Sequence, residues 1–195
     1  PFELKQKLEE FILYGMYPEV LTLATSAEKI SHLKELSQSY LYKDVLQLTS
    51  VKHTNQLHDL LKLVAYQIGN LVSVQELSKS LKLSFDTVKS YLAILEKAFV
   101  LKTLRGYSKN PRKEISKMDK VYFIDIGVRN AVINDFSSLD FRQDVGGLWE
   151  NFLIMERTKR NDYSGDYSDQ HFWRKYSGAA VDYIESRDGT VTGYE

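Results

Sequence analysis

The stretch SVQELSKSLKLSFDTVKSYLAILEKAF, residues 73–99, decides the fold. It opens on Ser73 with Glu76 three residues on, the pattern of a capping box that satisfies backbone N–H groups at a helix start. LKLS then makes a tight turn, and Ser84 is placed to cap a second helix whose apolar stripe is Val88, Tyr91, Leu92 and Leu95. Upstream, NQLHDLLKLVAYQIGN carries Leu57, Leu60, Leu61, Val64, Ala65 and Ile68 on one helical face, with Gly69 as its stop. A helix followed by two short helices across a tight turn predicts a helix-turn-helix. Downstream, FVLKTLRGYSKN and KVYFIDIG are β-rich runs around a basic, Pro-containing loop. Three helices and a two-stranded wing make the layout of a winged helix.

The second helix of the pair would turn Asp86, Lys89, Ser90, Ala93 and Lys97 to solvent. The lysines suit phosphates, whereas Asp86 near the helix start repels them. The net charge is zero, but residues 97–120 carry Lys97, Lys102, Arg105, Lys109, Arg112, Lys113, Lys117 and Lys120 against Glu114 and Asp119. Such a stripe is either a steering surface for a polyanion or a solvated basic loop. On the first reading Lys89, Lys97, Arg105 and Lys109 are the candidate DNA contacts. On the second, the helices serve a protein partner.

Before this region, FELKQKLEEFILYG has helical spacing at Phe2, Leu4, Leu8, Phe11 and Ile12 and stops at Gly15. MYPEV reads as a turn. A further helix is expected from Ser26 as N-cap through Leu48, with a stripe at Ile30, Leu33, Leu36, Tyr40, Leu41 and Val45. After the wing, GGLWENFLIMERTKRND predicts a helix opened by Gly146 and Gly147, with Trp149, Phe152, Leu153 and Glu156 at helical spacing. HFWRK, AAVDYIES and VTGYE read as strands separated by turns. The expected organisation is a helical segment (1–45), a winged helix (46–130) and an α/β end (140–195), α+β overall. A start at Pro1 and an end in mid-strand fit an excised piece of a longer protein.

The chain has 195 residues, 43% of them hydrophobic and 27% charged, the balance of a soluble globular protein with a real core. It has no cysteine, which removes disulfides, thiolate nucleophiles and zinc ribbons and suits the cytoplasm. No apolar run approaches the roughly 18 residues of a membrane span, so no membrane role is expected. There is no phosphate-binding G-x-x-x-x-G-K-[ST] loop and no G-x-S-x-G elbow. The four histidines, His32, His53, His58 and His171, have no metal-ligand spacing.

One acidic set remains. A Mg²⁺-dependent nuclease needs carboxylates converging on the ion and a lysine to stabilise charge. Asp182 in AAVDYIE, Glu195 at the end of TVTGYE and Glu150 in LWENF are candidate ligands and catalytic acids. Their alternative reading is a helix-surface acid and two polar positions on a hairpin.

The ordered set GMYPEV, SQSYLYKDV, the residue 73–110 run, KVYFIDIG, GGLWENFLIMER, FWRKYSGAAVDYIES and GYE resembles the C-terminal half of a family of bacterial and archaeal AAA-type ATPases. The resemblance covers nearly the whole chain and rests on the order of the motifs. It implies a P-loop ATPase domain before this chain, with residues 1–45 as a remnant of its helical lid and linker. It also implies a winged helix and a truncated restriction-endonuclease-like end of PD-(D/E)xK type. Carried over, the family's helix acid falls on Glu150, its strand acid on Asp182 and its E-x-K acid on Glu195, with the lysine just past the last residue. Gly147, Trp173–Arg174 and Asp125 match its Gly, W-R pair and Y-F-x-D-x-G strand. An Ala just before Val181–Asp182 departs from a frequent Glu. ATP would be bound only by the absent motor, and Mg²⁺ only at the nuclease-like acids. The functions implied are a DNA- or partner-binding module of such an ATPase, with the ATPase domain itself as one partner, or a Mg²⁺-dependent nuclease. A non-enzymatic winged-helix transcription regulator is the third.

Overall fold

The computed structural model describes residues 2–47, 54–108, 118–175 and 178–195. Among them the chain is α+β, with eight helices and one six-stranded mixed sheet. Lys109, Arg112, Lys113 and Lys117 of the basic stripe lie outside the described residues.

Helix α1 (Phe2–Tyr14) stops at Gly15, whose φ of +74° is left-handed backbone. The expected turn at MYPEV is instead a short helix, α2 (Pro18–Thr22), because Pro18 occupies the first turn, where no N–H is needed. Helix α3 (Ser26–Gln47) follows, and its cap lies one residue earlier than Ser26. Thr25 Oγ1 accepts the amide of Glu28, and Glu28 Oε2 accepts the amide of Thr25, so the capping box is Thr25-x-x-Glu28. Leu33 is buried on α3, whereas Ile30 and Leu36 are only half-buried; the side chains of Tyr40, Leu41 and Val45 are outside the description.

Helix α4 (Thr54–Tyr66) buries Leu57, Leu60, Leu61, Val64 and Ala65 of the predicted face, and Ile68 just beyond it, all at or below 5% exposure. A two-residue strand, β1 (Leu71–Val72), comes next, then α5 (Val74–Leu81) and α6 (Phe85–Lys97). Ser73 Oγ accepts the Glu76 amide at 3.3 Å, and Ser84 Oγ accepts the Thr87 amide at 3.1 Å. Each satisfies an amide that the first turn leaves unbonded. Val88, Tyr91 and Leu95 point α6 into the core.

Strands β2 (Leu101–Gly106) and β3 (Asp119–Phe123) pair antiparallel, Leu101 across from Phe123. The expected strand KVYFIDIG ends at Phe123. Asp125 is the N-cap of helix α7 (Ile126–Ile133), with Oδ1 accepting the Val128 amide at 3.0 Å. A turn of 3-10 helix (Leu139–Phe141) leads to α8 (Val145–Ser164), capped at its end by left-handed Gly165. Strands β4 (Asp169–Arg174), β5 (Ala180–Arg187) and β6 (Thr190–Tyr194) complete the described elements.

The sheet order is β1-β3-β2-β4-β5-β6, antiparallel except where β2 meets β4. The two β-rich runs around the basic loop and the three C-terminal strands therefore share one sheet. Period-two alternation divides it. Val121, Phe123, Leu101 and Val72 pack with α4, α5 and α6, while Tyr122, Leu104, Phe172 and Tyr183 pack with Ile154 and Met155 of α8. The buried face of α8 is Leu148, Asn151, Ile154, Met155, Thr158 and Asn161; Trp149 and Leu153, which the sequence places at helical spacing, are 39% and 49% exposed. The reason is polar. Asn151 accepts the Phe123 amide through Oδ1 and donates to the Phe123 carbonyl through Nδ2, both at 2.8 Å. A hydrophobic pattern does not register such a residue as core.

Candidate functional site

Strand β3 delivers Lys120 to the α8 side of the sheet, where its ammonium is buried, with a side chain only 8% exposed. Lys120 Nζ donates to Glu150 Oε1 at 2.7 Å and to Asp182 Oδ1 at 3.1 Å. Two acids predicted from separate elements, α8 and β5, thus meet on one nitrogen. Their oxygens are no further apart than those two legs laid end to end. Tyr122, two residues along the same face of β3, donates its hydroxyl to Glu150 Oε1 at 2.5 Å. Burial and then the charge of Glu150 push the Tyr122 phenol well above its ordinary value, which keeps it a donor. The Phe172 ring lies 5.8 Å from the ammonium. Asp182 is the open side of the site, its side chain half-exposed.

Glu150 is held by the approach of two helix ends. A Cβ on Gly147 would lie 2.7 Å from the Ile68 carbonyl oxygen, so only glycine lets α8 begin against the end of α4. Continuing the β5–β6 register, which pairs Tyr183 with Tyr194, places Glu195 across from Asp182. Glu195 is exposed. Among the described residues no three His, Asp or Glu side chains form a metal-holding group, so Glu195 is not gathered with Glu150 and Asp182. The charge pattern puts Lys120 in the basic stripe; in the fold it is a buried counter-charge. Its signal is alternation, since Lys120 and Tyr122 share a face within the apolar run KVYF.

The predicted outward face of α6 is present: Asp86, Lys89, Ser90, Ala93 and Lys97 are all exposed, as is Arg105 on β2. Lys89 and Arg105 border an open cleft of about 470 Å³ between α6 and the sheet. The same cleft holds Glu96, Asp119 and Asp169, so its charge is mixed. Burial pushes the Asp119 carboxyl up, with Glu96 adding to the effect and Arg105 and Lys89 opposing it.

A second acid of the VDYIE strand, Glu185, has a structural partner. Arg157 binds it through two nitrogens, Asn161 donates to it at 2.5 Å and Tyr194 at 3.2 Å. Asp125 is likewise structural, accepting the Met16 amide at 2.8 Å and so tying the GMYPEV segment to α7.

Residues 5–139 match a family model described as Domain of unknown function (DUF8612), and the chain belongs to that family. The matched span includes α6, Arg105, Lys120 and Asp125 and ends before Glu150. The chain is 26% identical over 187 residues to an uncharacterized protein of Methanocaldococcus jannaschii, covering 93% of this chain and 40% of that protein. Over 185 residues it is 24% identical to an uncharacterized protein of Mycobacterium tuberculosis, covering 94% and 41%. Over 162 residues it is 25% identical to an uncharacterized protein of Haemophilus influenzae, covering 80% and 39%. The chain spans about two fifths of the length of these relatives. No solved structure matches it.

Proposed function

We propose that the chain is the nucleic-acid-binding C-terminal module of an AAA-type ATPase, a winged helix joined to a restriction-endonuclease-like end. The observation that carries this reading is the α6 face: a doubly capped helix pair presents Lys89, Ser90, Ala93 and Lys97 to solvent beside Arg105. ATP would belong to a motor domain elsewhere in the parent protein. The length of the relatives, more than twice the matched stretch, leaves room for one in proteins of this kind. Fluorescence anisotropy with duplex and single-stranded DNA across a salt series tests the reading. Phosphate contacts make affinity fall steeply with salt, and charge reversal at Lys89, Lys97 and Arg105 flattens that slope by about one for each phosphate no longer neutralised. Binding that ignores both salt and charge reversal would assign the module to a protein partner.

A second reading has its own observation, the convergence of Glu150 and Asp182. Carboxylate oxygens are the donors Mg²⁺ prefers, and one or two of them with substrate phosphates is a common set for that ion. Glu150 and Asp182 would hold it. Bound there, Mg²⁺ supplies Lewis-acid stabilisation of a phosphoryl oxygen and a water of lowered pKa. Lys120 holds the two acids together, and Phe172 and Tyr122 wall off its inner side. Cleavage of DNA by the parent protein with Mg²⁺ or Mn²⁺, lost in Asp182→Ala, tests a Mg²⁺-dependent nuclease. No cutting in either metal would leave the acids as scaffold.

A further inference from the structure

We infer that the cleft between α6 and the sheet is a binding site for a basic α-amino acid, arginine or lysine. The cleft lies on the opposite face of the sheet from Lys120, because Asp119 and Val121 alternate with it along β3. Its volume of about 470 Å³ falls within the roughly 300–1,000 Å³ of small-molecule sites. Val72, Val74, Leu92 and Val121 give it an apolar wall. Charges of both signs border that wall, Lys89 and Arg105 against Glu96, Asp119 and Asp169. Asp119 is the group that the fold leaves unsatisfied. Its carboxyl is half-buried, and among the described residues no hydrogen-bond donor reaches it; Arg105, Glu96 and Lys89 act on it only through space. Burial pushes it up, so at neutral pH its charge costs the folded chain stability. A desolvated carboxylate without a donor is satisfied by a ligand that brings one.

The chemistry of that ligand follows from the lining. Three carboxylates against two cations leave the cleft with one negative charge. A basic amino acid carries two cationic ends and one carboxylate, so it complements both the sign and the mixture. Its carboxylate suits the fork of the Arg105 guanidinium, a cationic end donates to Asp119, and its aliphatic stem lies along the apolar wall. A plain anion would meet three carboxylates, and a plain apolar molecule would leave Asp119 without a donor.

The experiment titrates this chain with L-arginine and L-lysine by calorimetry at low salt, where exposed charges are least screened. Two further probes each lack one feature: agmatine has no carboxylate, and norleucine keeps the zwitterion and the stem but has no side-chain cation. At least one of the two basic amino acids should bind saturably, and agmatine and norleucine at least about tenfold more weakly, the worth of one charge-assisted hydrogen bond. Asp119→Asn should lose about the same factor for that amino acid while its melting temperature stays unchanged or rises, an outcome that a structural role for the carboxylate would not give. Arg105→Gln, at an exposed side chain, should bring the binding of the basic amino acid down to that of agmatine and leave agmatine itself unaffected. Agmatine binding as tightly as arginine overturns the inference, because the cleft then takes any organic cation. No saturable binding of arginine or lysine, or binding indifferent to Asp119→Asn, overturns it as well. Should Asp119→Asn fail to fold, as judged by circular dichroism, the response of arginine and agmatine to Arg105→Gln decides.

Discussion

Arg157 of α8 and Glu185 of β5 form a two-pronged ion pair, Nε to Oε1 at 2.8 Å and Nη2 to Oε2 at 2.7 Å. Tyr194 of strand β6 closes over it, its hydroxyl 2.6 Å from Arg157 and its ring 4.7 Å from the guanidinium. Every residue of β6 is exposed, so the strand has little apolar burial of its own and depends on this clasp and on the β5 ladder.

The clasp has a pH signature. The guanidinium of Arg157 outweighs burial and, with Asn161, holds the Glu185 carboxyl down at about 2, against an ordinary 4.5. A carboxyl lowered by folding adds stability that is complete above its unfolded value and is lost as pH falls from about 4.5 towards 2. Glu185→Gln should therefore cost roughly 2 kcal/mol at pH 7, since it leaves Arg157 without its counter-charge. The gap between the two melting curves should close progressively below pH 4.5. A gap that stays constant down to about pH 2 would mean that the ion pair contributes nothing beyond its hydrogen bonds.

Two adjacent glycines should respond to the same substitution in opposite directions. Gly146 and Gly147 both lie in the first turn of α8, where alanine is ordinarily favoured by about 0.5–1 kcal/mol. A Cβ on Gly146 meets nothing within 4 Å, so Gly146→Ala should raise the melting temperature. A Cβ on Gly147 would sit 2.7 Å from the Ile68 carbonyl, which is backbone and cannot step aside, so Gly147→Ala should destabilise by roughly 2 kcal/mol. It should also displace Glu150. Thermal melts of the two variants decide the matter, and a stabilised Gly147→Ala would show that α8 does not begin against α4 as described.

Asp125 should matter for folding and not for any site chemistry. Its carboxyl is buried, which pushes it up, and accepts the Met16 and Val128 amides. It also lies so close to Gly15 that a Cβ there would come within 2.2 Å of Oδ1. Asp125→Ala strands two N–H groups and removes the cap of α7, a loss of about 3 kcal/mol. Urea denaturation measures it directly. A loss below about 0.5 kcal/mol, the range of ordinary surface substitutions, would mean that water replaces the carboxylate and that the turn is loosely held.

The α4–α6 region was legible because its information is local: serine caps, a glycine stop and a period of 3.6 all lie within a few residues of what they determine. Helix α7 was not, because Asp125 reads as part of an apolar run and its seven buried residues give no amphipathic period. Asn151, Thr158 and Asn161 hid the true face of α8 for a related reason, since only the strands they touch make polar groups acceptable inside. In the acidic site, Glu150 and Asp182 could be named from spacing. Their partner could not, because Lys120 lies 30 and 62 residues away from them and its role depends on the sheet order. Joining β2 to β4 in parallel is a long-range choice that no window of sequence contains.

The sharpest probe of the proposed α6 interface removes a charge that would oppose a phosphate backbone. Asp86 is exposed in the first turn of α6, where an acid favours the helix dipole by about 0.3–1 kcal/mol and repels a phosphate backbone. Asp86→Asn should therefore lower thermal stability slightly while raising DNA affinity severalfold, and the gain should shrink as salt screens the repulsion. A structural effect alone would move both quantities the same way. Anisotropy at low and moderate salt, with a melt on the same sample, separates the two. If affinity is unchanged while Lys89→Glu and Lys97→Glu weaken binding, DNA lies along the middle and end of α6 and not at its start. If all three variants leave affinity unchanged, nucleic acid does not approach this helix, and its exposed face belongs to a protein.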